Sequence, residues 1–290
     1  MKRRLLFILM IVFALAANAT RAKTHRMSDG SVLSFTRSAS IRRSLSEPIT
    51  KWDANKTYRV PVILLSFSDC DFIQDDPQKF YDRLFNESGF NLRRGPGCVA
   101  DYFRDQSGGQ FNVVFDVVGP VKSTKTKTGN GEYGGSTFKD AAVLADEQLD
   151  YADYDWDGNG SVEVVIYIYA GYGGNEDASE VEGCIWPNTS SFATQNLDGV
   201  KVNRYSASPE LWSNDASCGI GTICHEFSHA LGLPDMYPTS GSEFSVLDEW
   251  DLMDGGNFVD DGWCPPNYSI HEREYLGWAS AEDLTKTTTV

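Results

Sequence analysis

The segment at residues 225–229, HEFSH, constrains this chain more than any other feature. Residues four apart on an α-helix lie on the same face, so His225 and His229 can direct imidazole nitrogens at one metal ion. Glu226 lies one position round the helix, within reach of a water on that ion. The pattern predicts a helix over residues 220–231 that carries a zinc site. The alternative is a buried helix with two hydrogen-bonded histidines and a surface glutamate.

The residues after this helix favour a third ligand close by. Gly232 follows the predicted helix, and glycine readily adopts the left-handed conformation that ends a helix and turns the chain. That turn can return Asp235 to the metal as an oxygen ligand. Asp254 and His271 are the other candidates, but His271 lies in a segment, residues 270–278, whose spacing predicts a packing helix. We therefore expect Asp235 to complete the site.

These residue types suit metal-assisted hydrolysis of a peptide bond. Zinc lowers the pKa of a bound water to about 7 and polarises a carbonyl group. A carboxylate placed like Glu226 can take the proton of that water and pass it to the leaving amine. Met253 lies in a Gly-rich segment where a tight turn can form an apolar floor beneath a zinc site, although most methionines are only core filler. The sequence predicts a zinc-dependent endopeptidase.

Residues 1–19 have the pattern of a secretory signal peptide. Positive residues 2–4 precede the apolar run at residues 5–16, and residues 17–19 are small enough for signal cleavage. A membrane anchor is the alternative, but the run is shorter than a bilayer span, and no later stretch is apolar enough to cross one. We expect a secreted or extracytoplasmic protein with no membrane insertion after signal removal.

Charge is unevenly distributed along the chain. Residues 1–50 hold 9 of the 25 Lys and Arg but 2 of the 41 Asp and Glu, which leaves residues 51–290 with a net charge of −23. An acidic surface repels nucleic acid and attracts cations. We expect a monomer that takes protein or peptide substrates and no nucleic acid. The basic stretch at residues 20–55 is predicted to be a pro-segment or a linker, and residues 56–290 to form the catalytic domain.

Six cysteines follow the signal segment. An even number in an exported protein favours disulfides, but six cysteines allow fifteen pairings and no pairing is predicted. One of them stands at a predicted helix start, where a free thiol is the alternative. The six are Cys70, Cys98, Cys184, Cys218, Cys224 and Cys264.

Apolar patterning predicts strands that alternate with helices. Strands are expected at residues 58–67, 111–118 and 162–170, an edge strand at 200–206, and helices at 75–85, 98–106 and 137–149. This order indicates an α/β (α+β) fold with a twisted mixed sheet. The metal helix belongs to this upper lobe, and the Gly-rich chain beyond it forms an irregular lower lobe.

A second metal site is predicted in the loop before the strand at residues 162–170. Side-chain oxygens recur at alternate positions around a Gly-permitted turn, which is how proteins wrap Ca²⁺. The spacing departs from an EF-hand loop, and an ordinary turn without an ion is the alternative. The candidate ligands are Asp153, Asp155, Asp157, Asn159 and Glu163.

The chain resembles the immune inhibitor A type of secreted bacterial metallopeptidase, in the metzincin-like class. The resemblance is carried by VPVILLSFSD, ADYFRDQSGGQFNVVFDVVGP, YDWDGNGSVEVVIYIYAG, IWPN, HEFSHALGLPDMY, EWDLMDGG and EREYLGW. It implies a metzincin-like catalytic domain and a zinc endopeptidase that is made as a zymogen and often stabilised by calcium. Carried over by position, His225 and His229 are ligands, Glu226 is the base, Asp235 the third ligand and Met253 the turn methionine.

The chain departs from the family pattern at two positions. Cys98 stands where a serine is usual, and Asn188 ends the IWPN segment where a histidine is frequent. Family members also commonly carry β-rich domains after the Gly-Trp pair at residues 277–278.

Two other functions use the same residues. The chain could be an inactive peptidase-like binding or adhesion module, or a zinc amidase that acts on cell-wall peptide. The intact Glu226 argues against the first, because a module without activity has no need of the base. The absence of a recognisable wall-binding segment argues against the second.

Overall fold

The computed structural model describes residues 22–26, 32–36, 51–175, 183–212, 215–237 and 247–280. The predicted signal peptide lies outside these residues. The strands are β1 (Ala22–Arg26), β2 (Val32–Thr36), β3 (Thr57–Ser66), β4 (Asn112–Lys122), β5 (Val165–Tyr172), β6 (Asn188–Leu197) and β7 (Val200–Leu211). The α-helices are α1 (Pro77–Asn86), α2 (Val99–Gln106), α3 (Gly135–Leu144), α4 (Gly221–Leu231) and α5 (Ile270–Tyr275). Short 3₁₀ helices occupy Asp146–Gln148, Tyr151–Tyr154, Asp248–Trp250 and Gly255–Phe258.

A five-stranded mixed sheet in the order β4-β3-β5-β7-β6 organises the fold, which confirms the predicted α/β class. β4, β3, β5 and β7 run parallel, and β6 pairs antiparallel with β7 at the edge. β1 and β2 form a separate antiparallel pair. None of the helices among the described residues has the length and apolarity needed to cross a membrane.

The prediction of an edge strand at residues 200–206 is wrong. β7 extends to Leu211 and lies inside the sheet, between β5 and β6. Its second half is buried although it includes Ser206, Ser208 and Glu210, and these polar residues concealed an interior strand. The strand at this edge of the sheet, β6, was not predicted, because Phe192 is its only large buried apolar side chain.

The two faces of β3 pack on different helices. Val62 and Leu64 belong to the apolar cluster that includes Phe227 of α4, whereas Ile63 and Leu65 belong to the cluster that includes Phe138 of α3. Alternate side chains of a strand point to opposite faces, so a continuous apolar run is what a strand covered on both sides requires. Side chains of β3 and of α4 therefore belong to one apolar cluster on the same side of the sheet.

The lower lobe closes on the beginning of α4 through direct backbone contact. A Cβ atom at Gly221 would lie 2.0 Å from the carbonyl oxygen of Asn257, so only glycine permits this approach. The Gly221 N–H also donates to the carbonyl of Gly262 at 2.8 Å. The irregular segment after Gly232 is thus fixed to the start of the helix that it follows in sequence.

Substitution of Phe115 on β4 measures how much the packing between β4 and α4 contributes to the stability of the fold. Its ring lies 4.9 Å from that of Phe85 and 5.8 Å from that of Phe227, and its side chain is 2% exposed. We expect Phe115→Ala to lower the free energy of unfolding by about 3–5 kcal/mol, because it leaves a cavity. The adjacent Val114→Ala, at a side chain 43% exposed, is the control and should cost less than about 1 kcal/mol in urea unfolding. Equal losses would contradict this packing.

Candidate metal centre

Two histidines of α4 and one aspartate after it bring their donor atoms together. His225 Nε2 and His229 Nε2 lie 3.2 Å apart. Asp235 Oδ1 lies 3.1 Å from His229 Nε2 and 3.4 Å from His225 Nε2. Both histidines are buried and the Asp235 side chain is 11% exposed. The predicted trio thus converges at one point.

The local sequence explains how Asp235 returns to the helix. Gly232 has φ 114°, a conformation that favours glycine, and it ends α4. The Leu233 N–H then donates to the carbonyl of Ser228 at 3.0 Å, which folds the chain back over the last helical turn. Asp235 follows two residues later, and the reversal carries it to the histidine face.

Hydrogen bonds at the far side of each ring determine which nitrogens face the aspartate. His225 Nδ1 lies 2.8 Å from the carbonyl oxygen of Leu252, and His229 Nδ1 lies 2.7 Å from that of Leu233. A carbonyl oxygen only accepts, so each Nδ1 carries the proton and each Nε2 presents a lone pair. The same partnership orients histidines that bind metals.

This donor set fits a zinc ion. Two imidazole nitrogens and a carboxylate oxygen face one another at one point, an arrangement that a cation stabilises. Zinc bonds of about 2.0–2.1 Å in a tetrahedron place neighbouring donors about 3.3 Å apart. The three separations of 3.1, 3.2 and 3.4 Å agree with that edge.

The turn at Met253 holds both parts of the site. Met253 is fully buried, and its carbonyl accepts the N–H of Met236, the residue after Asp235, at 2.9 Å. The preceding carbonyl, that of Leu252, receives the His225 Nδ1 proton. One turn of the lower lobe therefore orients a histidine and braces the loop that carries the aspartate.

The other candidates for the third ligand lie elsewhere. Asp254 is buried and its Oδ2 accepts the N–H groups of Leu247 and Asp248 at 3.1 and 3.0 Å. His271 is exposed on α5. Among the described residues, neither belongs to the group that contains His225 and His229.

Glu226 is buried beside the two histidines and contacts the edge of the sheet. The whole Glu226 residue is only 3% exposed. The Thr189 hydroxyl on β6 lies 3.0 Å from Glu226 Oε2 and 2.5 Å from the Glu226 carbonyl oxygen. Sequence reasoning missed Thr189, because a single threonine in a polar strand gives no signal of such a contact.

A buried carboxyl pair joins the Met253 turn to α5. Asp251 is 2% exposed and Glu272 fully buried. Burial, with the neighbouring Asp251 charge, raises the pKa of Glu272 to about 7, and burial also raises the pKa of Asp251. Glu272 in addition completes a capping box with Ser269 at the start of α5. The pair links the EWDLMDGG and EREYLGW segments, a connection that their separation in sequence concealed.

The predicted calcium ligands are brought together only in part. Carboxylate oxygens of Asp155, Asp157 and Glu163 lie within 4.8 Å of one another. Burial raises the pKa of Glu163 to about 7, with smaller contributions from the two aspartates. Asp153 instead forms an ion pair with Arg59, outside this group. Asn159 contributes its backbone N–H, which donates to Asp155 and Asp157 at 3.1 and 3.0 Å.

The cysteines differ from the disulfide expectation. All six lie in the described part of the chain, and none of them is joined to another by a disulfide there. Cys98 is the N-cap of α2, and its Sγ accepts the Asp101 N–H at 3.4 Å. Burial raises the pKa of Cys98 to about 11. The thiol thus takes the capping role that a serine would fill and is not activated as a nucleophile.

Most of the chain is similar to proteins of a known family. Residues 51–279 match the family described as immune inhibitor A peptidase M6, catalytic domain. Pre-pro-metalloprotease PrtV of Vibrio cholerae serotype O1 is 24% identical over 285 residues, an alignment that covers 82% of this chain and 30% of that protein. Immune inhibitor A of Bacillus thuringiensis subsp. alesti is 24% identical over 252 residues, which cover 71% of this chain and 36% of that protein. The chain spans about a third of the length of these relatives. Because the family match covers most of the chain, this protein belongs to the immune inhibitor A peptidase family M6.

Proposed function

We propose that this protein is a zinc-dependent endopeptidase that hydrolyses extracellular proteins or peptides. The observation that carries the proposal is the convergence of His225 Nε2, His229 Nε2 and Asp235 Oδ1 within 3.4 Å of one another. Three protein ligands leave one tetrahedral position for water or substrate, as in catalytic zinc sites.

The chain's own residues supply the proton transfers. Zinc bound by His225, His229 and Asp235 would acidify the attacking water and polarise the scissile carbonyl. Glu226 accepts a proton from the water on its carboxylate and delivers it to the leaving amine nitrogen. The burial of Glu226 excludes competing solvent from this carboxylate, and the Nδ1 hydrogen bonds of both histidines hold their rings in place while the proton moves.

The rival functions make different demands on these residues. A binding or adhesion module needs neither a buried Glu226 nor its contact with Thr189. A cell-wall amidase would use the same chemistry on another substrate, and a comparison of casein with cell-wall peptide as substrates distinguishes the two. Both relatives are longer than this chain, so their activities cannot simply be transferred to it. Our proposal of peptide-bond hydrolysis therefore rests on the geometry of the site.

We further propose that Asp155, Asp157 and Glu163 hold a calcium ion. Two observations support a calcium ion here: the three carboxylates cluster at the loop before β5, and residues 51–290 have a net charge of −23. A hard cation would relieve the mutual repulsion of these groups and compensate for the burial of Glu163. Asp153 is left out of the proposed ligand set, because it pairs with Arg59.

The proposed site of action requires export. We propose that residues 1–19 are removed as a signal peptide, and the residues from 20 to the region of residue 51 as a pro-segment, before full activity. The basic charge of the leader beside an acidic catalytic domain supports this order. N-terminal sequencing of the active, secreted protein should find a start near residue 51, and a fully active form that begins before residue 44 would contradict the pro-segment.

The first functional prediction concerns the base. Glu226→Gln should lower kcat for casein by about 10²–10⁴-fold, because the amide cannot take the proton, while zinc stays bound. Activity and zinc content should be measured on the same preparation, with a chelator-treated wild type as the metal-free reference. A variant that cleaves casein at near the wild-type rate would exclude Glu226 as the base.

The second functional prediction concerns calcium. Millimolar calcium should raise the melting temperature of the wild type, since a ligand that binds only the folded state stabilises it. Asp157→Ala should abolish most of that rise, whereas Asp153→Ala should retain it, because Asp153 lies in the Arg59 ion pair. A melting temperature that does not respond to calcium, or an equal loss in both variants, would contradict the proposed ligand set.

A further inference from the structure

Thr189 reaches the proposed base from the edge strand of the sheet. Its Oγ1 lies 3.0 Å from Glu226 Oε2 and 2.5 Å from the Glu226 carbonyl oxygen. Thr189 is half-buried on β6, whereas Glu226 is buried on α4. One hydroxyl therefore connects the edge of the sheet with both the side chain and the backbone of the proposed base.

The position of Thr189 is determined by its neighbours. It lies opposite Ser206 in the β6–β7 ladder. The preceding Asn188 is buried, accepts the Tyr205 hydroxyl at 2.8 Å and donates its amide to the Trp186 carbonyl at 2.7 Å. The Asn188 side chain thus anchors the start of β6. The threonine hydroxyl is thus held at a fixed place before any substrate arrives.

We propose that Thr189 is a positioning residue for Glu226, which keeps the carboxylate in its reactive orientation throughout the proton transfer. This proposal rests on the proposed peptidase function. It assigns a role to a residue outside the metal helix and outside the turn at Met253.

The chemistry of a hydroxyl suits both forms of the base. A hydroxyl has one proton and two acceptor lone pairs. While Glu226 is ionised, the Thr189 proton points to Oε2, because a carboxylate is the stronger acceptor. When Glu226 holds the water's proton on its other oxygen, Oε1, the Thr189 hydroxyl can still donate to Oε2 or turn its proton to the Glu226 carbonyl at 2.5 Å. The transferred proton passes from water to Glu226 to the amine, and Thr189 keeps its own proton throughout.

A purely structural role makes a different prediction. If the hydroxyl served only to bond the Glu226 carbonyl oxygen, its removal would weaken α4 whatever side chain stood at position 226. If it positions the carboxylate, its removal matters only when the carboxylate is present. The two roles are separated by measuring the same change in wild-type and Glu226→Gln backgrounds.

The experiment compares Thr189→Val with Thr189→Ser in the zinc-loaded protein. Valine keeps the shape and removes the hydroxyl, whereas serine keeps the hydroxyl. Thr194→Val is the matched control, since Thr194 lies on the same strand and its hydroxyl contacts Asn203. Thr189→Val should lower kcat about tenfold with KM within about twofold, and Thr189→Ser and Thr194→Val should stay near wild type. Thr189→Ala replaces Thr189→Val if the valine variant does not melt cooperatively.

Two further readouts complete the test. In the Glu226→Gln background, Thr189→Val should cause no additional loss of the residual hydrolysis of a fluorogenic peptide. Crystal structures should show one Glu226 rotamer in the wild type and more than one in Thr189→Val, at unchanged zinc content. An unchanged kcat in Thr189→Val, or an equal loss in both backgrounds, would overturn the positioning role alone. A wild type without chelator-sensitive hydrolysis would instead refute the peptidase function on which it rests.

Discussion

The site depends on two hydrogen bonds that point away from it. The Nδ1–H groups of His225 and His229 donate to the carbonyls of Leu252 and Leu233, which directs both Nε2 lone pairs inward. The two Nε2 atoms lie 3.2 Å apart, with the Asp235 carboxylate beside them. The surrounding fold holds these three donors in this arrangement.

Several parts of the fold position α4 and the loop that carries Asp235. Val62 and Leu64 of β3 share an apolar cluster with Phe227 of α4, and the lower lobe covers the start of the helix where Gly221 meets the backbone of Asn257. The Met253 turn then connects the His225 side chain to the loop that carries Asp235. Rigidity of this kind is what keeps a metal site in the geometry that its ion requires.

What the sequence could predict was local. His225, His229, Gly232 and Asp235 lie within eleven consecutive residues, so helix periodicity and one glycine turn were enough to bring them together. The interior strand predicted at residues 58–67 was equally clear, because burial on both faces leaves a continuous apolar run. These features needed no knowledge of distant parts of the chain.

What it could not predict depends on pairings distant in sequence. β6 is polar because it is an edge strand, so neither its place in the sheet nor the contact of Thr189 with Glu226, 37 residues away, has a local signature. The interaction of Asp251 with Glu272 is concealed for the same reason. The alternating oxygens before β5 predicted one set of ligands, but Arg59 on β3 pairs with Asp153 and removes it from that set.

The most direct test of this account is the zinc content of purified protein, measured by elemental analysis after dialysis against a weak chelator. The account predicts one zinc per chain in the wild type and in His271→Ala, and less than about a tenth of that in Asp235→Ala, because two imidazoles alone hold zinc weakly. Full zinc in Asp235→Ala together with its loss in His271→Ala would contradict the assignment of Asp235 as the third ligand and the site geometry built on it.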